Sequence, residues 1–273
     1  MLKIPSKHSV SNYVSISGWL KCSAVSFWNS VPNKFVKPHP ARLKFLFVCG
    51  CGHSGTTLTA AKIGNHSRFF LIGRETSAFD QLIGLHCARK IVAEWEYFAF
   101  SDKKSVVLEK TPKHVHSIPK IQKVLPDSKI IVLVRNPLDN VASLYKRFGH
   151  LDGCVCRWIS DNCASLRYQD LAGVNLVRYE ELVSNPEVIF RELIEFAGFE
   201  WDESVLRPGQ TSYESIEQEG NMAVRADQVN KPIGSNIGGW RKVFSDEQAD
   251  YVLRRARHVA MKLGYSTRIE DYL

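Results

Sequence analysis

Between Met1 and Arg74 the chain has no aspartate and no glutamate, yet Lys3, Lys7, Lys21, Lys34, Lys37, Arg42, Lys44, Lys62, Arg68 and Arg74 all fall there. That segment is therefore +10, and because the whole chain is +8, everything from Glu75 onward sums to −2. A basic excess points to an anionic partner, with nucleic acid, acidic lipid and phosphate- or sulfate-bearing small molecules all open. The first forty residues also lack any long apolar run. Their hydrophobic stretches are broken every few residues by Ser, Asn, Lys or Gly. A secretory signal therefore fits poorly, and nothing there approaches the ~20 apolar residues of a membrane span.

Paired C-x2-C arrangements are missing as well. The seven cysteines (Cys22, Cys49, Cys51, Cys87, Cys154, Cys156 and Cys163) form an odd set without a small-domain framework, which fits free thiols in a reducing, cytoplasmic compartment. His150, Cys154, Cys156 and Cys163 are zinc-ligand types close together, but their spacing matches no paired motif, so helix-packing cysteines are expected. No internal repeat is present. What the 273 residues do have is 44% hydrophobic, 23% charged and 11% aromatic content, proportions that exclude disorder and low complexity.

Residues 1–43 read as an N-terminal extension, basic, Ser-rich and carrying Trp19, Phe27 and Trp28. That composition fits a loosely packed segment, an organelle-import peptide or a peripheral membrane contact. From residue 44 to 273 one domain is expected. Short β-branched and aromatic runs at 45–49, 69–72, 105–108, 129–134 and 175–177 alternate with helical segments at 56–65, 77–98, 113–125, 137–148 and 156–171. This predicts an α/β three-layer sandwich around a mostly parallel sheet. Asn185-Pro186 starts a further helix that Gly198 ends, and a Ser245/Gln248 capping box opens a last helix closed by Gly264. The stretch 208–239 reads as a long loop of the lid or binding kind.

Two stretches carry chemistry. The first strand runs into Cys49-Gly50-Cys51-Gly52-His53-Ser54-Gly55-Thr56-Thr57-Leu58, a glycine-rich turn that offers backbone N–H groups and a helix N-terminus to an anion. It is not a Walker loop, because no lysine precedes the threonines. The strand at 129–134 ends in Arg135-Asn136-Pro137-Leu138-Asp139-Asn140-Val141-Ala142-Ser143. This brings a guanidinium and a hydroxyl, both donors to oxyanions, to the sheet edge.

The pair S-G-T-T-L and R-N-P-x-D-x-x-x-S resembles the sulfotransferases that use 3′-phosphoadenosine 5′-phosphosulfate. The similarity extends through Glu109-Lys110-Thr111-Pro112, Val177 to Leu182 and Gly238 to Lys242, and covers about 44–265. The resemblance implies a P-loop NTPase-like fold and that Gly52, His53, Ser54, Gly55, Thr56 and Thr57 hold the 5′-phosphosulfate, with Arg135 and Ser143 on the 3′-phosphate. It further implies nucleotide contacts from Tyr179, Trp240 and Arg241, although Trp240 also suits core packing. His53 stands where the family usually has Lys or Arg. Gly73-Arg74-Glu75-Thr76 resembles the G-x-E-T of the tyrosylprotein branch, which implies Glu75 as general base with His53 in reserve. Lys110 would stabilise the leaving 5′-phosphate. Sulfuryl oxygens carry less charge than phosphoryl ones, so no metal is expected. The acceptor would be a small molecule, carbohydrate or peptide, and nucleic acid is not expected. The competing readings are a P-loop small-molecule kinase, with Glu109 on magnesium, and a non-enzymatic binder working through the basic N-terminus.

Overall fold

The computed structural model describes residues 43–207 and 236–272. The basic extension up to residue 42, Cys22 and the 208–235 part of the expected lid lie outside the described residues.

Five strands, β1 (Lys44–Gly50), β2 (Phe69–Leu71), β3 (Val106–Lys110), β4 (Lys129–Val134) and β5 (Val174–Arg178), form one sheet in the order β2-β3-β1-β4-β5. Every pairing is parallel. Parallel strands need crossovers, and these cover both faces, so the strands must be apolar on both sides. In β1 the alternation is direct: Leu46 and Val48 enter one cluster, while Phe45, Phe47 and Cys49 enter the other.

The first face is covered by α1 (Thr56–Ile63), α6 (Tyr179–Ser184) and α7 (Pro186–Phe196), through Ala60, Ile63, Leu182, Phe190, Leu193 and Ile194. The opposite face is covered by α2 (Leu85–Ser101) and α3 (Ile118–Val124), through Ala88, Val92, Trp95, Ile118 and Ile121. A third cluster joins α4 (Pro137–Phe148), α5 (Leu151–Tyr168) and α8 (Asp246–Lys262) around the buried indoles of Trp158 and Trp240. The expected α/β sandwich is the observed one.

Four helices depart from expectation. The helix expected over 77–98 begins only at Leu85, because Ser77 adopts a left-handed φ of 52° and Gly84 is extended. The buried Phe79 in that stretch is a loop anchor. The helix expected over 113–125 is a 3-10 turn, Pro112–Ser117, followed by α3. Pro119 near the start of α3 lacks the N–H that would continue one helix across the junction. Third, α5 starts at Leu151, five residues before its expected start, since His150 Nδ1 accepts from Gly153 N at 2.9 Å and caps it. The short α6, unanticipated, turns directly out of β5.

The terminal signals of α8 hold: the Ser245/Gln248 box is formed and Gly264 follows at φ 73°. Pro186 opens α7 as expected, but the Asn185 side chain makes no capping bond.

In this order, chain connections leave β1 toward β2 and β3 on one side and reach β4 and β5 on the other. Such a reversal opens a crevice at the carboxyl ends of the strands. Gly50, Lys110 and Arg135 stand at or just past those ends. Gly50 has φ 135°, and a Cβ there would stand 2.1 Å from the Leu133 carbonyl oxygen, so the mouth is closed to any larger residue. Trp158 underpins the mouth, fully buried, with Nε1 donating to the Arg135 carbonyl at 3.1 Å. Replacing Trp158 with Ala is expected to cost about 3–5 kcal/mol, and with Phe about 1–3 kcal/mol for the orphaned carbonyl, as read from urea unfolding midpoints.

Candidate active site

The glycine-rich turn is shaped by its own side chains before any ligand is considered. Ser54 is fully buried and its Oγ donates to the Cys51 carbonyl at 2.6 Å, while Ser54 N reaches the same oxygen at 3.2 Å. His53 takes φ 68° and Gly55 φ 98°, so the chain reverses in two left-handed steps. Gly55 is the N-cap of α1, with no side-chain cap and no acidic residue in the first turn. The first N–H groups of a helix lack intrahelical acceptors, and here no side chain caps them. Burial pushes the thiols of Cys49 and Cys51 up, so both stay protonated and inert.

Arg135 joins this loop to the second motif. It is 4% exposed; Nη1 donates to the His53 carbonyl at 3.2 Å and Nη2 to the Asn236 carbonyl at 2.6 Å. Its guanidinium lies 4.3 Å from the Tyr179 ring centroid, and the same ring packs so closely on Gly55 that a Cβ there would be 2.6 Å away. Burial raises the Tyr179 phenol and the Arg135 charge lowers it; the net is upward, so the ring stays neutral. Arg135 Nε is buried with no acceptor among the described residues, a spare donor that suits an oxyanion. Ser143 Oγ lies 2.8 Å from His53 Nδ1. The two motifs therefore meet at His53, through its carbonyl and through its ring.

Glu75 and Lys110 are also brought together, with Nζ to Oε1 at 2.8 Å. Lys110 is fully buried, whereas the Glu75 side chain is 37% exposed. The arrangement is fixed from below by Glu109, whose Oε1 accepts from Thr76 Oγ1 at 2.8 Å and Thr111 Oγ1 at 2.6 Å. Its Oε2 faces His114 Nδ1 at 3.0 Å. His114 Nε2 accepts from Phe79 N at 3.2 Å, which places the ring proton on Nδ1, donating to the carboxylate. Burial alone would push Glu109 up; His114 and the hydrogen bonds from His114, Thr111 and Thr76 outweigh it and hold the carboxyl below its ordinary range. With both oxygens engaged in the interior, Glu109 is no magnesium ligand, and the kinase reading loses its metal residue.

Asp139 does the same work on the other side. Its Oδ2 accepts from Gly238 N at 2.9 Å and its Oδ1 from Trp240 N at 3.1 Å. Asn136 caps α4 through Asp139 N at 2.9 Å and donates to both Asp139 Oδ2 and Glu180 Oε1. Trp240 thereby sits in the helical core at 2% exposure, in accord with the packing alternative. Arg241 is exposed; it lies 5.1 Å from the Trp240 ring centroid and donates to the Tyr272 carbonyl. Sequence reasoning missed Glu109, Asp139 and Glu180 as anchors. The Asn136-x-x-Asp139 spacing at a helix start was a usable signal.

Among the described residues, no group of three or more His, Cys, Asp and Glu is placed to hold a metal ion. His150 serves as a helix cap, Cys154 is buried and Cys156 is exposed. Nor is any helix of the described residues long and apolar enough to cross a membrane.

A model described as the sulfotransferase family matches residues 83–203. Over that stretch the chain is similar to the sulfotransferase family. That match holds Lys110, Arg135 and Ser143, while the loop at 50–57 and Glu75 lie outside it. Protein-tyrosine sulfotransferase A of Caenorhabditis elegans is 24% identical over 227 residues, 69% of this chain and 58% of that protein. The chain thus spans less than two thirds of that relative's length. The sulfotransferase domain of the Synechococcus PCC 7002 olefin synthase superposes with a TM-score of 0.61 at 16% identity, over 84% of this chain and 98% of that one. Mouse sulfotransferase SULT7A1, solved in complex with PAP, gives 0.52 at 15% identity over 83% and 90%. These two likenesses establish the fold.

A buried carboxylate held below its ordinary value contributes stability that is fully present above the unfolded-state value, about 4.5, and is lost as pH falls through the folded one. The melting midpoint of the wild-type protein is expected to fall on acidification below about pH 4.5. In Glu109→Gln that acid-dependent fall is smaller and the midpoint at pH 7 lower; melts followed by circular dichroism across that range check both.

Proposed function

We propose that the protein transfers the sulfuryl group of 3′-phosphoadenosine 5′-phosphosulfate to a hydroxyl or amine acceptor, by in-line displacement with Glu75 as general base. The observation that carries this reading is the meeting of Lys110 and Glu75 at 2.8 Å at the end of β3, on the same sheet edge as the anion loop after β1 and Arg135 after β4. In-line transfer needs a base for the nucleophile, positive charge for the leaving oxygen and donors for the equatorial oxygens.

The residues fit the nucleotide by donor chemistry. Gly52 to Thr57 offer backbone N–H groups to the 5′-phosphosulfate, and Arg135 and Ser143, joined through His53, suit the 3′-phosphate. Lys110 supplies the charge that the departing 5′-phosphate gathers. Tyr179 acts from beneath, holding the Arg135 guanidinium against the loop. The complex of the mouse neighbour with PAP supports the choice of nucleotide, and the tyrosine sulfotransferase relative favours a phenolic hydroxyl among the acceptors. A role for the domain 44–273 without its basic extension accords with this, since the residues invoked all lie after residue 43.

Titration calorimetry is expected to show 3′-phosphoadenosine 5′-phosphate binding well ahead of ATP with magnesium; preference for ATP would defeat the proposal. Arg135→Gln is expected to weaken that binding by about 10- to 100-fold, the worth of a charge-assisted hydrogen bond. With an accepted phenol or tyrosyl peptide, Glu75→Gln should lower kcat by about 100-fold or more while leaving nucleotide affinity intact. Near-normal turnover would remove Glu75 from the role and pass it to His53.

A further inference from the structure

The loop from Gly50 to Thr57 contains no lysine and no arginine. Backbone N–H groups and a helix terminus carry only partial charges, while a phosphosulfate brings full ones. The loop's one titratable side chain other than cysteine is His53, and its Nδ1 is engaged with Ser143 at 2.8 Å. A fixed positive charge reaches this loop from another element. Arg157, on α5, places Nη2 2.7 Å from where a Cβ on Gly52 would stand, with Cζ at 3.3 Å. The guanidinium thus lies against the loop backbone at the residue before His53, and a glycine at 52 is what admits it.

Three neighbours hold it there. Asp161, one helical turn further along α5 and 7% exposed, faces Arg157 Nε at 3.5 Å as an ion pair. Asp161 is gripped from its other oxygen by His116 Nε2 at 2.7 Å. The Phe148 ring lies under the guanidinium at 5.5 Å and beside the His53 ring at 6.4 Å. Arg157 Nε and Asp161 Oδ2 are buried without a hydrogen-bond partner among the described residues, so the charge is paired but its donors are not saturated. Arg157, Asp161 and His116, with Lys113 and Ser160, line a pocket of about 280 Å³. A side chain held this way, half-paired and facing both a loop and a cavity, is preorganised for an anion.

We propose that Arg157 brings a full positive charge, additional to Arg135, to the Gly52 side of the phosphosulfate loop and meets the sulfuryl end of the donor, with Asp161 and His116 as positioning residues. The proposal rests on the sulfotransferase reading above. In the transfer, a bond forms between the acceptor oxygen and sulfur, and the bond between sulfur and the 5′-phosphate oxygen breaks. The electron pair goes to that phosphate and the hydroxyl proton to Glu75. Arg157 stabilises the charge on the sulfuryl oxygens along this path, and Lys110 that on the leaving phosphate.

The test is a double-mutant cycle read by calorimetry, with 3′-phosphoadenosine 5′-phosphosulfate and its desulfated product as the two ligands. Arg157→Gln is expected to weaken the sulfated ligand by about tenfold or more and the product by less than about threefold, because only the former carries the group contacted. His53→Arg, which puts a cation on the neighbouring loop position, should recover most of that loss in the Arg157→Gln background and add little to the wild type. Asp161→Asn should reproduce part of the same selective loss. If melting shows that Arg157→Gln does not fold, Arg157→Lys with and without His53→Arg reads the same coupling. Equal weakening of both ligands, or additive effects of the two substitutions, overturns the role of Arg157 alone. A wild-type protein that binds neither ligand overturns the sulfotransferase reading and this role with it.

Discussion

A carboxylate that never reaches solvent organises the candidate site of this protein. Glu109 is enclosed at the end of β3 and stays ionised because Thr76, Thr111 and His114 all donate to it. Stripping a carboxylate of water is costly, and only a full complement of hydrogen bonds offsets the cost. That requirement pins the backbone at Thr76 and at Thr111. Glu75 and Lys110 are the adjoining residues, so their 2.8 Å contact follows from satisfying a neighbour that does no chemistry itself. A lone exposed glutamate on a flexible turn would seldom find that position.

Asp139 repeats the device on the opposite side of β1. It collects Gly238 N, Trp240 N and the Asn136 side chain, and thereby brings the chain beyond residue 235 back onto α4. Glu180 extends the network, accepting from Asn136 and from Tyr265. Buried polar networks of this kind specify one arrangement when every member is satisfied. The crevice is thus bounded by two carboxylate hubs, and the groups proposed to face the nucleotide stand between them on strand ends.

Much of this was legible in the chain. Continuous apolar runs such as Ile130 to Val134 announce strands buried on both faces, and all five strands fall within two residues of their expected limits. The glycine turn and the Arg135 to Ser143 stretch are local patterns, and local patterns survive folding. What was not legible arises from tertiary demand. Phe79 sits in a helix-like period yet serves as a loop anchor, because its N–H is needed by His114. For Trp240 the sequence left nucleotide contact and core packing both open, because an aromatic near a long loop gives no sign of which side it faces. Arg157 carries no local signal whatever: it is one cation on an amphipathic helix, and its placement depends on a glycine a hundred residues earlier.

His53 holds a backbone conformation that costs a non-glycine residue of order 1 kcal/mol, and it does so while its carbonyl is bound to Arg135 and its ring to Ser143. One peptide unit is therefore shared by the two halves of the crevice. A group that draws Arg135 toward itself would therefore also pull on the His53 carbonyl in the glycine-rich loop. For the proposed nucleotide, anionic at both ends, that shared residue would tie the fit at one end to the fit at the other.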